Sequence, residues 1–295
     1  MKRWLTTLYA PLFLGGFLAL GIAVVGVAGR SPGWLAVIFL CALLVSFVAE
    51  RALPYEPQWN HNQGDGWRDV AHALVNEACN GLALLILPGL VALLSFEGLW
   101  PGSWPLWGQV LLAIGIADAG ISLTHYVSHH VPWMWRLHAV HHSVQRLYGF
   151  NGLMKHPLHQ MLEAAVGFLP LIVLGVPLDV ALLLAFAISL QLLLQHSNVD
   201  MTPGVLSHVF AWAPVHRLHH MKYGAAGNVN FGLFFNLWDR LLGTALHAGA
   251  YSIRQGELGI GNRADFPQGY VEQLLEPFRP EQFTDEPQVP EALRR

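Results

Sequence analysis

The chain has 295 residues, of which 54% are hydrophobic and 12% are Asp, Glu, Lys or Arg, about half the charged share of an ordinary soluble domain. That composition, with a mean hydropathy of +0.41, excludes a disordered chain and points to a bilayer protein. A net charge of −3 offers no basic face for a nucleic acid, and two cysteines, Cys41 and Cys79, make neither a disulfide framework nor a cysteine metal site.

Residues 8–29 carry no charge and have the length a transmembrane helix requires, about 20 residues. The Met1-Lys2-Arg3 start has the look of a signal peptide, but the apolar stretch is too long for a signal core and no cleavage site follows. Arg30-Ser31-Pro32-Gly33 breaks the run, and residues 34–49 form a second, slightly short apolar segment. Residues 80–96 and 105–124 form a third and a fourth, with Trp100, Trp104 and Trp107 between them, where interfacial aromatics belong. Residues 164–195 are too long for one crossing and too short for two full ones, being roughly 48 Å as a single helix. Gly175-Val176-Pro177 near the middle stops a helix, so the stretch reads as a hairpin that returns to the side it left without quite crossing.

Parity then places the N-terminus and residues 50–78, 125–163 and 196–295 on one side. That side holds 15 of the 16 Lys and Arg, with Arg30 alone outside; such an excess marks the cytoplasmic face. Residues 1–247 read as one membrane domain. Residues 248–295 are more polar, with Pro267, Pro277, Pro280, Pro287 and Pro290, and read as a tail that covers the cytoplasmic face and frays toward its end.

Histidine is the anomaly: there are 16, as many as Lys and Arg together. His125 and His129 stand at i and i+4, followed by His130; His138, His141 and His142 stand at i, i+3 and i+4, and so do His216, His219 and His220. These spacings put the imidazoles of a group on one helical face, and neutral imidazole suits iron, zinc, copper and nickel. A single pair at such spacing usually decorates a solvated helix, but three groups on one side of a membrane point to a metal site. More histidines than one ion needs fit two. The scarcity of carboxylates among them departs from the Glu-x-x-His pattern of di-iron bundles.

The stretch from His125 to Ser143, with Pro132, Trp135-Arg136 and His138-Ala-Val-His-His-Ser, resembles the fatty acid hydroxylase/sterol desaturase superfamily of membrane oxidoreductases. So do Lys155-His156-Pro157-Leu158, Gln195-His196-Ser197-Asn198, His216-Arg-Leu-His-His, Asn230-Phe-Gly and Trp238-Asp239 before Gly243-Thr244. The resemblance implies an all-α integral membrane protein, with transmembrane hairpins under a cytoplasmic helical cap that carries the histidines. It implies two iron ions, which zinc can replace during purification, held by His125, His129, His138, His141, His142, His196, His216, His219 and His220. It also implies hydroxylation of an aliphatic lipid with dioxygen and electrons from a separate donor, a ferredoxin or a small haem protein with its reductase.

Several residues stay open between a ligand role, a supporting role and plain packing. Asp200 stands four residues after His196, where some members carry a tenth histidine. His130 makes the first group a doublet, and His156 and His159 flank the His-Pro-Leu stretch. Asp118, two turns before His125 inside an apolar segment, is an ionisable group that needs a partner, and a hydrogen bond to a ligand imidazole would supply one. Asn198, Asn230 and Asp239 are further candidates for that role. Arg136, Arg146, Arg217 and Lys222 either receive an acidic donor or anchor the chain at the membrane surface. The alternatives are lipid desaturation, ether-lipid monooxygenation, a metal transporter or store, and a zinc-dependent lipid hydrolase. The compact length leans toward a bacterial inner membrane.

Overall fold

A computed structural model of the protein describes residues 2–248, 251–263, 265–280 and 283–294. Six helices among these residues are long and apolar enough to cross a membrane. They are α1 (Lys2–Gly21, continued by a π-helical turn Ile22–Val27), α2 (Gly33–Ala52), α3 (Gly66–Leu94), α4 (Leu106–His130), α6 (Pro157–Leu174) and α7 (Leu178–Gln195). Between and after them lie the short helices α5 (Pro132–His142), α8 (Ala213–His216), α9 (Leu237–Leu242) and α10 (Tyr270–Leu275). The described residues contain isolated β-bridges and no strand.

The most buried span is α7, whose Val180, Ala181, Leu183, Leu184, Ala187, Leu190 and Leu193 are fully enclosed by the other helices. Large apolar side chains such as Leu40, Leu85, Leu111 and Leu123 face outward, the inversion expected where the solvent is lipid. The helices α4 and α6 approach closely because each puts a glycine at the contact. A Cβ on Gly120 would lie 2.7 Å from the Val166 carbonyl oxygen, and one on Gly167 would lie 2.7 Å from the Ile121 side chain. Small residues at such crossings let helix backbones meet where no hydrophobic driving force separates lipid from protein.

Four helix boundaries lie six or more residues beyond the sequence reading, the first at Lys2 in place of residue 8. The third span begins at Gly66, fourteen residues before the apolar stretch, because its polar first turns are buried and paired: Arg68 bonds Asp69, and Asn76 donates to the Leu153 and Lys155 carbonyls. The fourth continues through His130. The hairpin predicted over 164–195 begins at Pro157, so each limb has 18 residues and is long enough, at roughly 27 Å, to cross nearly the whole hydrocarbon core. Gly175 ends α6 in the left-handed conformation (φ 80°) and Pro177 opens the return, as expected of a helix stop.

One end of the bundle gathers the loops at 53–65, 143–156 and 217–230 together with the C-terminal segment. Trp59, Val140, Leu147, Leu218, Ile253, Leu258, Phe266 and Leu293 form a second apolar core there. The C-terminal segment is thus packed against the cap: Gln273 on α10 donates to Ser143 and to the Pro267 carbonyl and pairs with His72.

Candidate metal centre

Nine imidazoles converge under this cap in two sets. His125, His129, His138, His142 and His219 form one, and His141, His196, His216 and His220 the other; within each set one ligand atom per residue lies within 4.8 Å of every other. The helical spacing assigns them. On α5, i and i+4 put His138 and His142 in the first set, while His141, one residue round the helix, turns into the second. His219 and His220 divide in the same way, with ring planes at 90°.

In four of these rings the second nitrogen is fixed by a backbone carbonyl. His125 Nδ1 donates to Phe231 (2.8 Å), His141 Nδ1 to Met154 (2.8 Å), His219 Nδ1 to Val229 (2.8 Å) and His196 Nδ1 to Leu192 (3.1 Å). A carbonyl only accepts, so the proton sits on Nδ1 and Nε2 is left with a lone pair. His129 Nδ1 is held by Asn228 Oδ1 at 3.0 Å. The Nε2 atoms then crowd together: His138–His142 and His141–His196 at 3.1 Å, and His129–His142, His196–His220 and His216–His220 at 3.2 Å. His125 Nε2 and His219 Nε2 are buried and meet no protein partner among the described residues.

Burial, followed by repulsion from the neighbouring rings, drives the pKa values of His138, His142, His216 and His220 well below the ordinary imidazole value, and burial lowers His196 to about 3. Neutral imidazoles with facing lone pairs repel unless a cation lies between them, so this donor set fits two metal ions bound through nitrogen.

A third group touches the first set. The His159 ring lies 4.5 Å from the His138 ring at a 38° tilt, pairs with Ser128 Oγ at 2.9 Å, and lies beside Glu163; Glu163 is in turn held by Lys155. His138, His159 and Glu163 could themselves hold an ion. Lys155 and Glu163 form the polar wall of a small space beneath the histidines, whose apolar wall is Ile121, Leu192 and Leu233. Glu163 was missed in the sequence, although its place four residues after His159 was the available signal.

Most of the supporting candidates lie elsewhere. Asp118 does not touch an imidazole: it accepts from Phe234 N (2.6 Å), Trp238 Nε1 (2.8 Å) and Ser122 Oγ. Asp239 accepts from Phe231 N (2.7 Å) and Gly232 N (2.8 Å), and so holds the residue whose carbonyl orients His125. Asn230, with φ 56°, donates to the Val215 and Leu246 carbonyls. Asn198 bridges the backbone of Glu56 and the side chain of Asn60. Asp200 lies near Lys2 at the surface rather than at the centre. His130 is exposed and bonds the Tyr126 carbonyl, while His156 caps α6 and reaches the Leu274 carbonyl. Arg146 and Arg217 are buried, Arg146 on Asp65 and Arg217 on the Ser197 and Val199 carbonyls, so neither offers a docking charge.

Six apolar helices capped by two clusters of histidines able to hold metal define an integral membrane protein of the histidine-rich metal-site type. The fatty acid hydroxylase family profile matches residues 110–244. Ornithine lipid hydroxylase OlsE of Rhizobium tropici is 35% identical over 254 residues, covering 83% of this chain and 76% of its own. Methylsterol monooxygenase 1 of Rattus norvegicus is 28% identical over 149 residues (49% of this chain, 48% of its own), and alkylglycerol monooxygenase of Danio rerio 26% over 145 (49% and 31%). No solved structure gives a significant match. The chain belongs to the fatty acid hydroxylase family, and it is an oxidoreductase.

Proposed function

We propose that this protein is a membrane-bound di-iron monooxygenase that hydroxylates an aliphatic lipid, with residues 1–247 as its catalytic body and residues 248–295 as a polar cover on the cap. The observation that carries this reading is the convergence of nine Nε2-directed imidazoles on two points. Iron would be held by His125, His129, His138, His142 and His219 at one point and by His141, His196, His216 and His220 at the other. Bound there, the pair would supply dioxygen activation and cleavage of an unreactive C–H bond, chemistry that no side chain provides.

The chain's own contribution is positioning. The carbonyls of Phe231, Met154, Val229 and Leu192 hold the rings in one tautomer, which stabilises the ligand geometry before metal arrives. Ile121 and Leu192, each one helical turn before a ligand histidine, and Leu233 form the apolar wall against which an aliphatic carbon would rest. The Lys155–Glu163 pair opposite keeps this space electrically balanced. Two electrons and two protons must enter for each dioxygen reduced to water and alcohol, and a separate ferredoxin or small haem protein would deliver the electrons.

The cap faces the cytoplasm in this reading, because the loops gathered at that end carry nearly all the Lys and Arg, and the membrane is a bacterial inner membrane. Of the substrate classes, an amino-acid-headed lipid is the first to test, since the ornithine lipid hydroxylase aligns over most of both chains. The test is purified protein in detergent with iron, dioxygen, a ferredoxin and its reductase, and ornithine lipid, read by mass spectrometry. A product heavier by one oxygen atom, labelled from ¹⁸O₂, is expected. A product lighter by two hydrogens would make the enzyme a desaturase. Conversion of sterol or alkylglycerol in place of the amino lipid would move the substrate while keeping the chemistry.

A further inference from the structure

We propose that residues 203–212 and 231–242 form a re-entrant wedge that sits in the lipid leaflet beside α4, presenting α9 to the acyl chains as part of the membrane-facing surface. The first support is depth. Asp118 stands midway along α4, about 18 Å from either end of the helix, and it holds both Phe234 N and the Trp238 indole. The start of α9 is therefore tied to α4 six residues, about 9 Å, inside the cap-side end of the apolar stretch 105–124. Leu123, which lies nearer the cap than Asp118 on the same helix, still faces outward.

The second support is chemistry. Residues 201–216 and 223–238 contain no Asp, Glu, Lys or Arg, although they belong to loops and short helices. The large apolar side chains they and α9 expose are Val205, Val209, Leu237, Leu241 and Leu242; the exposed His208 beside them packs on the His247 ring. Leu237 and Leu241, at i and i+4, share one face of α9. Helix α9 packs against α4, whose Leu111 and Leu123 are likewise exposed. Arg240, also exposed, has a stem long enough to lift its guanidinium to the head groups.

The third support is the backbone. Irregular chain at membrane depth is tolerated only when its polar groups are satisfied within the protein. Here Gln191 donates to the Leu233 carbonyl and Gln195 to that of Gly232, Asn236 donates to the Ser207 carbonyl, and Asp239 accepts from Phe231 N and Gly232 N. Five buried polar side chains, Asp118 included, thus serve the loop that forms the wedge. Its Leu233 lines the space beneath the histidines, so a lipid in the leaflet lies one loop away from the metal centre.

The test places a nitroxide at Leu241→Cys in a Cys41→Ser/Cys79→Ser background, in proteoliposomes, and compares its accessibility to oxygen with that to a water-soluble nickel chelate. Leu85→Cys, on the outward face of α3, and Arg254→Cys, on the exposed C-terminal segment, give the lipid and water references. An oxygen-to-nickel ratio matching that at Leu85 is expected. A ratio matching that at Arg254 overturns the wedge, and so does protection from both reagents, the signature of a covering protein surface. The readout is independent of turnover, so it stands apart from the assignment of substrate.

Discussion

His141 and His196 face each other with their Nε2 atoms 3.1 Å apart, and in both rings the Nδ1 proton is already committed to a carbonyl, Met154 for one and Leu192 for the other. Neither nitrogen of the close pair has a proton to share. The contact is a repulsion between lone pairs that only a cation resolves.

Metal content follows directly. The native protein prepared with iron is expected to hold about two ions per chain, since four to five nitrogens satisfy each. His216→Ala and His129→Ala each remove a donor from a different set and should each lose about one ion or more by elemental analysis. Chelation should also lower the melting temperature, because ligation links α4, α5, α7 and the loop after α8. Full metal retention in both variants would contradict the two-set arrangement.

Asp239 acts at one remove from the centre. Asp239→Ala strands the buried Phe231 and Gly232 N–H groups at a cost of about 2–4 kcal/mol. It also frees the carbonyl that orients His125. Metal affinity, measured by chelator competition, should fall roughly 10–100-fold. Asp239→Asn, which keeps one acceptor, should fall between the variant and the native protein; equal affinity in all three would show that Phe231 is held by other means.

Gly152 allows the second set to form. A Cβ there would stand 2.4 Å from the Leu192 carbonyl oxygen and 2.9 Å from His196 Nδ1. Gly152→Ala should therefore displace the His196 ring and destabilise the fold by about 1–3 kcal/mol, with metal lost preferentially from the His141 set. Denaturation and metal analysis read the two effects separately.

The Asp65–Arg146 pair sets an acid limit. Burial raises the Asp65 pKa, but the two hydrogen bonds and the charge of Arg146 outweigh it, and the net value lies below the ordinary 3.8. A depressed carboxylate stabilises the fold fully above its unfolded value, and that stabilisation is lost as pH falls through the folded one. Asp65→Asn should cost about 3 kcal/mol at neutral pH, and the gap in melting temperature from the native protein should close as pH drops below 3.8. A gap unchanged at acid pH would mean that Asp65 acts through packing alone.

Leu233→Trp tests the space beneath the histidines. Filling it should reduce turnover by roughly a hundredfold, the scale of a displaced reacting carbon, while metal content stays at the native level. Unchanged turnover would place the substrate elsewhere.

The histidine spacings made the clusters legible because i, i+3 and i+4 fix a helical face whatever the tertiary structure. The division into two sets was not legible: it depends on a one-residue rotation between His141 and His142 and between His219 and His220, and on how α5 crosses the chain near His216. Asp118 was read as an ionisable group in need of a partner, and the ligand imidazole expected to supply it does not. Its partners proved to be Phe234 N and Trp238, more than a hundred residues away, which no local pattern announces. The spans were visible by hydropathy except where polar turns such as Arg68-Asp69 are buried in pairs, since pairing hides the cost that hydropathy counts. The carbonyls that accept from the ring Nδ1–H groups leave no trace in a sequence, because every residue has a carbonyl.

The carbonyl that sets the His125 ring belongs to Phe231, and Phe231 is itself set by Asp239. A chain emerging from the ribosome inserts His125 long before either exists. The first set therefore cannot be completed until α9 has been synthesised and folded back on α4, and metal capture there would be a closing event of biogenesis rather than its nucleus. Half-made chains would present unoriented imidazoles that bind ions weakly, which protects the growing protein from trapping the wrong metal before its last ligands arrive.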